Sequence, residues 1–352
     1  MITDFKFDER DQAVFSSEFA ARLPDTVIDN HIHSWTKECL AISKDEYYLF
    51  KQYKPWTDFD YIEEFTIDDF NYYASKIFPG KKYLGTFFGL PFPQVDLEKN
   101  NQYILQRAGE LSSGFYYMPG QFEDINETDR KLHLLKKTGF LGFKPYPDIV
   151  HVDNGEPSIY DMLNRSVLEF SNKHSLNIIL HLPRKERMHS QDNRRELIEI
   201  ISSYPNVHFI IAHAGRSFCY YDIEGTIDFL ADKENISFDL ALINDASVIE
   251  YLMRVIDSNR IIYGSDAPLA FTRGKDICIN NKHYYVSGKM TQWGLGPMKE
   301  NFVDLTFYAY EEIRAILHAS RLIYSTREER HLENIFYLNA KKILKNGGIF
   351  YD

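Results

Sequence analysis

Six residues able to do metal or proton chemistry close short apolar runs in this chain. They are His31 and His33 in TVIDNHIH, Lys144 in FLGFKPYP, His181 in LNIILHLP, His213 in VHFIIAHAG and Asp266 in RIIYGSDAP. His31 and His33 are two apart, so on a strand both side chains face the same way and can converge on one cation. Neutral imidazoles with a carboxylate suit zinc, manganese or iron. Taken singly, an HxH pair reads equally well as two surface or core histidines, and a lone strand-end histidine is more often structural. Four histidines placed alike, with Asp266 ending the last run, form a constellation that points to a divalent ion.

Such residues need repeated elements to hold them. Eight apolar runs, at 26–33, 82–91, 114–120, 140–147, 176–183, 207–215, 236–242 and 260–268, are rich in β-branched and aromatic residues and often closed by Pro or Gly. They read as strands buried on both faces. Helix-like patterns lie between them at roughly 125–138, 158–174, 191–204, 221–234 and 246–257. Parallel neighbours need crossovers of a dozen residues or more, which is what this alternation supplies. Eight repeats predict an α/β fold closed as a (β/α)8 TIM barrel, with a doubly wound open sheet as the alternative. Residues 1–25 read as an N-terminal extension and 26–352 as one barrel domain. The connections 34–81 and 269 to about 328 are too long for turns. Both leave the carboxyl end of a strand, where barrels build their sites, so they are expected to form lids.

Composition bounds the function. The 352 residues are 44% hydrophobic and 15% aromatic, with 24 Tyr and 26 Phe, enough for a large core. A net charge of -11 argues against a nucleic-acid partner. Cys39, Cys219 and Cys278 are odd in number and lack a CxxC pair, so neither a disulfide framework nor a thiolate zinc site is expected. The N-terminus MITDFKFDERDQ lacks an apolar leader and no run approaches membrane-spanning length. The expectation is a cytoplasmic protein with a small-molecule substrate and no membrane contact, open to homo-oligomerisation.

The segments VIDNHIHSW, FKPYP, ILHLP, IIAHAG and YGSDAP, in that order, resemble the amidohydrolase superfamily, especially its amidohydrolase-related branch. The tail ENIFYLNAKKIL, with Asn339 and Ala340, resembles that branch's closing segment, so the likeness runs from about residue 26 to the C-terminus. It implies a distorted (β/α)8 barrel with one or two divalent ions at its carboxyl end. It further implies that His31, His33, His181 and Asp266 ligate the metal, zinc first and manganese or iron as alternatives. His213 would act as acid or base or polarise the substrate, and Asp266 would also accept a proton from acidified water. Lys144 would either be carboxylated and bridge two ions, or remain an ammonium that meets an anionic substrate or oxyanion. The branch is mostly mononuclear, which favours one ion and an unmodified Lys144.

Arg184 and Arg216 follow His181 and His213 by three residues, and Arg273 follows Asp266 by seven. Arginines on one rim suit a substrate carboxylate. Tyr146, with Trp35, Tyr116 and Tyr117, could shape the pocket, and Asp239 in SFDLAL is better read as orienting a neighbouring turn or histidine than as touching substrate. The remaining histidines, His283 among them, fit no pattern. The leading reading is a metal-dependent hydrolase of a lactone, amide or ester. The alternative is a metal-dependent non-oxidative decarboxylase, and a non-catalytic barrel is the third reading, disfavoured by the complete ligand set.

Overall fold

A computed structural model describes residues 5–40, 43, 45–46, 63–92, 94–111, 114–117, 141–153, 155–288, 290–292, 302–325 and 328–346. Eight parallel strands run in chain order: β1 Thr26–His33, β2 Lys82–Phe88, β3 Gly114–Tyr117, β4 Gly142–Phe143, β5 Asn177–Leu180, β6 His208–Ile211, β7 Ile236–Asp239 and β8 Ile261–Ile262. The chain beyond β8 returns to β1. Asp266 donates its backbone N–H to the His31 carbonyl (2.8 Å), and His33 donates to the Ala267 carbonyl (2.9 Å). Ile32 and Ala267 form a parallel bridge, so the strands close on themselves as the TIM barrel that the sequence predicts.

Alternation along the strands separates two cores. Ile178, Leu180, Phe209, Ile211 and Ile261 face outward and pack in one large cluster with helical residues such as Leu197, Ile249 and Leu252. Ile28, Phe88, Leu141, Ile179, Ile210, Ala212 and Ile262 fill the barrel interior together with Ala340, Ile343 and Leu344 of the final helix, Asn339–Asn346. Asn339 donates to the Ser258 and Ile261 carbonyls (2.7 and 2.8 Å) and so fixes that helix to β8. Helices Arg165–His174, Gln191–Ser203 and Ala246–Val255 occupy predicted positions. Each begins with a polar cap, Asn164, Ser190 or Asp245, whose side chain accepts a first-turn N–H. The predicted helix at 125–138 lies outside the described residues.

Two local irregularities aim the chemistry. In β1, Asp29 pairs with Gly85 but Ile32 pairs with Phe87, so β1 carries one extra residue there. That bulge reverses the alternation: Ile28 points into the barrel and Ile32 out of it, and His31 and His33 both pack against the interior Phe88 at ring separations of 5.0 and 4.6 Å. In β4, Leu141 faces inward and Phe143 outward, and a Cβ on Gly142 would sit 1.8 Å from the Asn177 carbonyl oxygen. Only glycine permits β5 to approach so closely.

The connection after β8 contains an antiparallel hairpin, β9 Gly274–Ile279 with β10 Lys282–Ser287, then helix Tyr308–Tyr324. Against the sequence expectation, Cys219 and Cys278 form a disulfide, 59 residues apart in sequence, which ties this hairpin to the loop after β6. Only Cys39 is free, and it is buried. The N-terminal segment packs on the barrel, with Phe15 and Phe19 buried in the outer core. Among the described residues no helix is long and apolar enough to cross a membrane.

Candidate metal centre

The strand ends bring His31, His33, Lys144, His181, His213 and Asp266 together at the carboxyl face of the barrel. All but Lys144 and His31 line a single cavity of about 780 Å³, and those two are wholly buried beneath it. His31 and His33 each have one ring nitrogen engaged. Nδ1 of His31 lies 2.9 Å from Asp239 Oδ2, and Nδ1 of His33 lies 2.8 Å from the Gly89 carbonyl oxygen. A carbonyl only accepts, so His33 carries its proton on Nδ1, and the Asp239 carboxylate holds His31 in the same tautomer. Both Nε2 atoms are left with lone pairs, and that of His31 is buried without a hydrogen-bond partner among the described residues. They lie 3.7 and 3.2 Å from Asp266 Oδ1. A ligand trio with its outer nitrogens fixed in this way is what a divalent cation requires.

Charge states agree with that reading. Burial, reinforced by Lys144, lowers the His31 pKa to about 3, so the ring is neutral. Burial would raise the Asp266 carboxyl, but the surrounding His33, His31 and His213 pull it well below the usual carboxylate range. Asp239 is likewise held low against burial, chiefly by His31. One of its oxygens accepts from the backbone N–H of His213 (2.7 Å) and Ala241 (3.2 Å), while the other faces His31. Asp239 therefore orients a turn and a histidine. Gly264 backs His31 so tightly that a Cβ there would lie 2.7 Å from the His31 Cβ.

His31, His33 and Asp266 form one trio with ligand atoms mutually within 4.8 Å, and His31, His213 and Asp239 form another. His181 joins neither trio, yet its ring lies 5.3 Å from that of His213 and its buried Nδ1 has no hydrogen-bond partner among the described residues. His213 sits at φ 53°, beside Ala214 at 48°, and Asp266 sits at 63°. These left-handed conformations cost free energy for non-glycine residues and concentrate at the strand ends that carry the site. His213 Nδ1 lies 3.0 Å from the Ala241 carbonyl and must carry the proton, so Nε2 is an acceptor; burial lowers its pKa. Lys144 Nζ has no hydrogen-bond partner among the described residues and lies 5.0 Å from the Phe88 ring centre and 5.7 Å from that of Tyr146. Burial brings its pKa down to about 8, against the pull of Asp239 and Asp266.

The sequence profile of the amidohydrolase family matches residues 28–280, most of the chain. This chain belongs to the amidohydrolase family. Its fold is similar to that of 4-oxalomesaconate hydratase from Rhodopseudomonas palustris, with a TM-score of 0.52 and 16% identity over 91% of this chain and 96% of that one. It is also similar to 2,6-dihydroxybenzoate decarboxylase from Rhizobium, with a TM-score of 0.51 and 12% identity over 91% and 98%. A third likeness, to 5-carboxyvanillate decarboxylase from Novosphingobium aromaticivorans bound to manganese, has a TM-score of 0.51 and 13% identity over 91% and 96%. No curated protein matches the sequence.

Within this amidohydrolase barrel the predicted rim residues separate. Arg216 lines the cavity, and its Nη1 donates only to backbone carbonyls, those of Leu182 (2.9 Å) and Arg184 (3.4 Å). Arg184 also lines it, but its guanidinium is occupied by Glu196 at 2.7 Å. Tyr146 lines it too, its ring 4.3 Å from that of His181. Arg273 does not line it. Against expectation, its guanidinium grips Asp11 in the N-terminal helix Glu9–Val14 with both nitrogens (2.9 and 2.5 Å), because the chain after Asp266 turns outward before the hairpin begins. Trp35 contributes to an apolar wall with Leu40, Leu90 and Phe92, whereas the side chains of Tyr116 and Tyr117 lie outside the described part.

Four cavity residues escape a reading of strand ends. Arg187 lines the cavity and contacts Asp222 at 3.3 Å. His283, Tyr284 and Tyr285 reach the cavity from β10. The signal for them was local: CINNKHYY places two asparagines, both at positive φ, between short β-prone runs, which is a tight hairpin turn.

Proposed function

We propose that this protein is a metal-dependent hydrolase acting on a carbonyl group of a small, carboxylate-bearing substrate. One observation carries the reading: an ionised Asp266, 3.2 Å from the free nitrogen of His33, shares a cavity with Arg216, a half-buried cation that forms no ion pair with a carboxylate among the described residues. His31, His33, Asp266 and the nearby His181 would hold one divalent ion, and zinc or manganese fits this nitrogen and oxygen set. Bound there, the ion supplies Lewis acidity and lowers the pKa of water.

The chain's own residues account for the rest. Asp266, kept anionic, accepts the proton of the attacking water. The Lys144 ammonium, buried and without a hydrogen-bond partner among the described residues, stabilises the oxyanion that develops on the carbonyl. His213, with Nδ1–H committed to Ala241, offers Nε2 as a base; it takes the second proton of the attacking water from the tetrahedral adduct and delivers it to the leaving group, while the proton held by Asp266 passes to solvent. Arg216 binds the substrate carboxylate, and the Trp35, Leu90 and Phe92 wall excludes water from its body.

Non-oxidative decarboxylation is the second reading. The apolar wall that faces the cations favours it, since a carboxylate desolvated there is poised to lose carbon dioxide; two of the structural relatives carry out such reactions by name. Metal-loaded enzyme offered lactones, amides and aromatic or unsaturated acids separates the two. The hydrolytic reading predicts incorporation of one labelled water oxygen into product without gas release. Carbon dioxide release with no oxygen incorporated overturns it.

A further inference from the structure

The hairpin after β8 carries a second histidine–carboxylate pair for which the chemistry described so far has no use. Residues of β9 and β10 alternate, and the register sets His283 opposite Cys278 and Tyr285 opposite Asp276. The resulting inward face holds Asp276, Cys278, His283 and Tyr285. It is anchored to the barrel twice: Cys278 is bonded to Cys219, and the Asp276 backbone N–H donates to Asn244 Oδ1 at 3.0 Å.

Asp276 is 6% exposed, and neither of its oxygens has a hydrogen bond among the described residues. Its one close polar neighbour is His283 Nε2 at 3.2 Å, nearer to an ion-pair contact than to an aligned hydrogen bond. A buried carboxylate is costly without a donor, so the imidazole proton belongs on Nε2, facing Asp276. The His283 ring is then held on both sides. It stacks on Phe218 (4.6 Å, 14°) and meets Tyr285 edge-on (4.4 Å, 74°). Nδ1 has no partner among the described residues, and the residue lines the cavity. Phe218 also lies 5.9 Å from His213, so His283 stands one aromatic ring farther from the metal centre than His213 does.

We propose that His283 is a substrate-binding residue that recognises a hydroxyl group at the end of the substrate remote from the metal centre, with Asp276 as its positioning residue. A neutral imidazole with its proton on Nε2 presents Nδ1 as an acceptor, and an acceptor selects a hydrogen-bond donor. Arg187, whose guanidinium carbon is 5.4 Å from the same Phe218 ring centre, supplies the matching donors for the hydroxyl oxygen. This deepens the reading above, on which it rests: the substrate becomes a small hydroxy acid, its carboxylate on Arg216 and its hydroxyl on His283.

The test uses full-length, metal-loaded protein and measures binding of benzoate, phenol and the three hydroxybenzoate isomers by calorimetry, for wild type, His283→Phe, Asp276→Ala and Arg216→Ala. Phenylalanine keeps the stack on Phe218 and removes the acceptor. At least one hydroxybenzoate isomer binds about 5- to 10-fold more weakly to His283→Phe, as expected for one lost hydrogen bond, while benzoate changes less than about twofold. Asp276→Ala reproduces part of that selective loss in the wild-type background and adds nothing in the His283→Phe background. The inference is overturned if no hydroxylated probe, phenol included, distinguishes His283→Phe from wild type, or if benzoate weakens equally. Failure of the carboxylate reading looks different: Arg216→Ala would leave benzoate binding unchanged, while phenol still reports on His283.

Discussion

Two histidine–aspartate pairs flank one cavity, one buried beneath it and one on the hairpin at its wall, and they are built differently. At the barrel floor, His31 and Asp239 meet at 2.9 Å, and the second Asp239 oxygen is occupied by two backbone N–H groups. On the hairpin, His283 and Asp276 meet at 3.2 Å, and neither Asp276 oxygen has a hydrogen bond among the described residues. The floor pair is over-determined, which suits a metal ligand whose free nitrogen must be aimed once and held. The hairpin pair is held by stacking and a single contact, which suits a group that adjusts to a ligand. Rigidity at the floor and accommodation at the roof divide the work of the site.

The comparison breaks most sharply at Lys144, which belongs to the floor but has no hydrogen-bond partner among the described residues. Lys144→Met is expected to lower kcat by about 10²- to 10³-fold, as for loss of an oxyanion-stabilising group, with bound metal unchanged by elemental analysis. Burial brings the Lys144 pKa from 10.5 down to about 8, so the ammonium is lost as pH rises through that value. The folded protein then binds fewer protons than the unfolded chain between about 8 and 10.5, and this residue's contribution to stability increases with pH across that window. Wild-type kcat/KM should fall above about pH 8, and a pH profile of Lys144→Arg should lack that limb. A wild-type profile flat to pH 10 would remove Lys144 from the chemistry.

Asp239→Asn sharpens the contrast next. Removing the carboxylate behind His31 should weaken metal affinity by about 10- to 100-fold, measured by competition with a chelator. Asp276→Ala should leave metal affinity unchanged; equal losses would erase the distinction between floor and roof. Smaller effects separate the arginines. Arg216→Ala should raise KM by about tenfold or more for a carboxylate substrate, whereas Arg273→Ala should leave KM alone and lower the melting temperature through its lost grip on Asp11. The smallest effect on turnover belongs to the Cys219–Cys278 link. Its replacement by serines should cost about 2 to 4 kcal/mol of stability and only a few-fold in KM, seen in parallel melting and steady-state measurements.

The floor was legible in the sequence because strand periodicity and strand-end polarity coincide there. His31, His33, His181, His213 and Asp266 all close short apolar runs that read directly as buried strands. Two devices that aim them were not legible. The extra residue between Asp29 and Ile32 changes the facing of His31 and His33 without altering their spacing, and the Gly142 approach to Asn177 depends on a neighbouring strand. The roof was nearly opaque. His283 and Asp276 meet through antiparallel register within an insertion, and Cys219 and Cys278 meet through tertiary structure alone, so a count of cysteines could not pair them. Arg273 misled for the converse reason: its distance along the chain from Asp266 says nothing about the N-terminal helix that claims it.

The central claim is a single metal held at the floor beside an unmodified lysine. Diffraction from crystals of the metal-loaded protein, collected at the absorption edge of the bound metal, tests it most directly. We predict one anomalous peak among His31, His33, His181 and Asp266, with Lys144 ending at its amine. Two peaks bridged by density extending from Lys144 Nζ would contradict it.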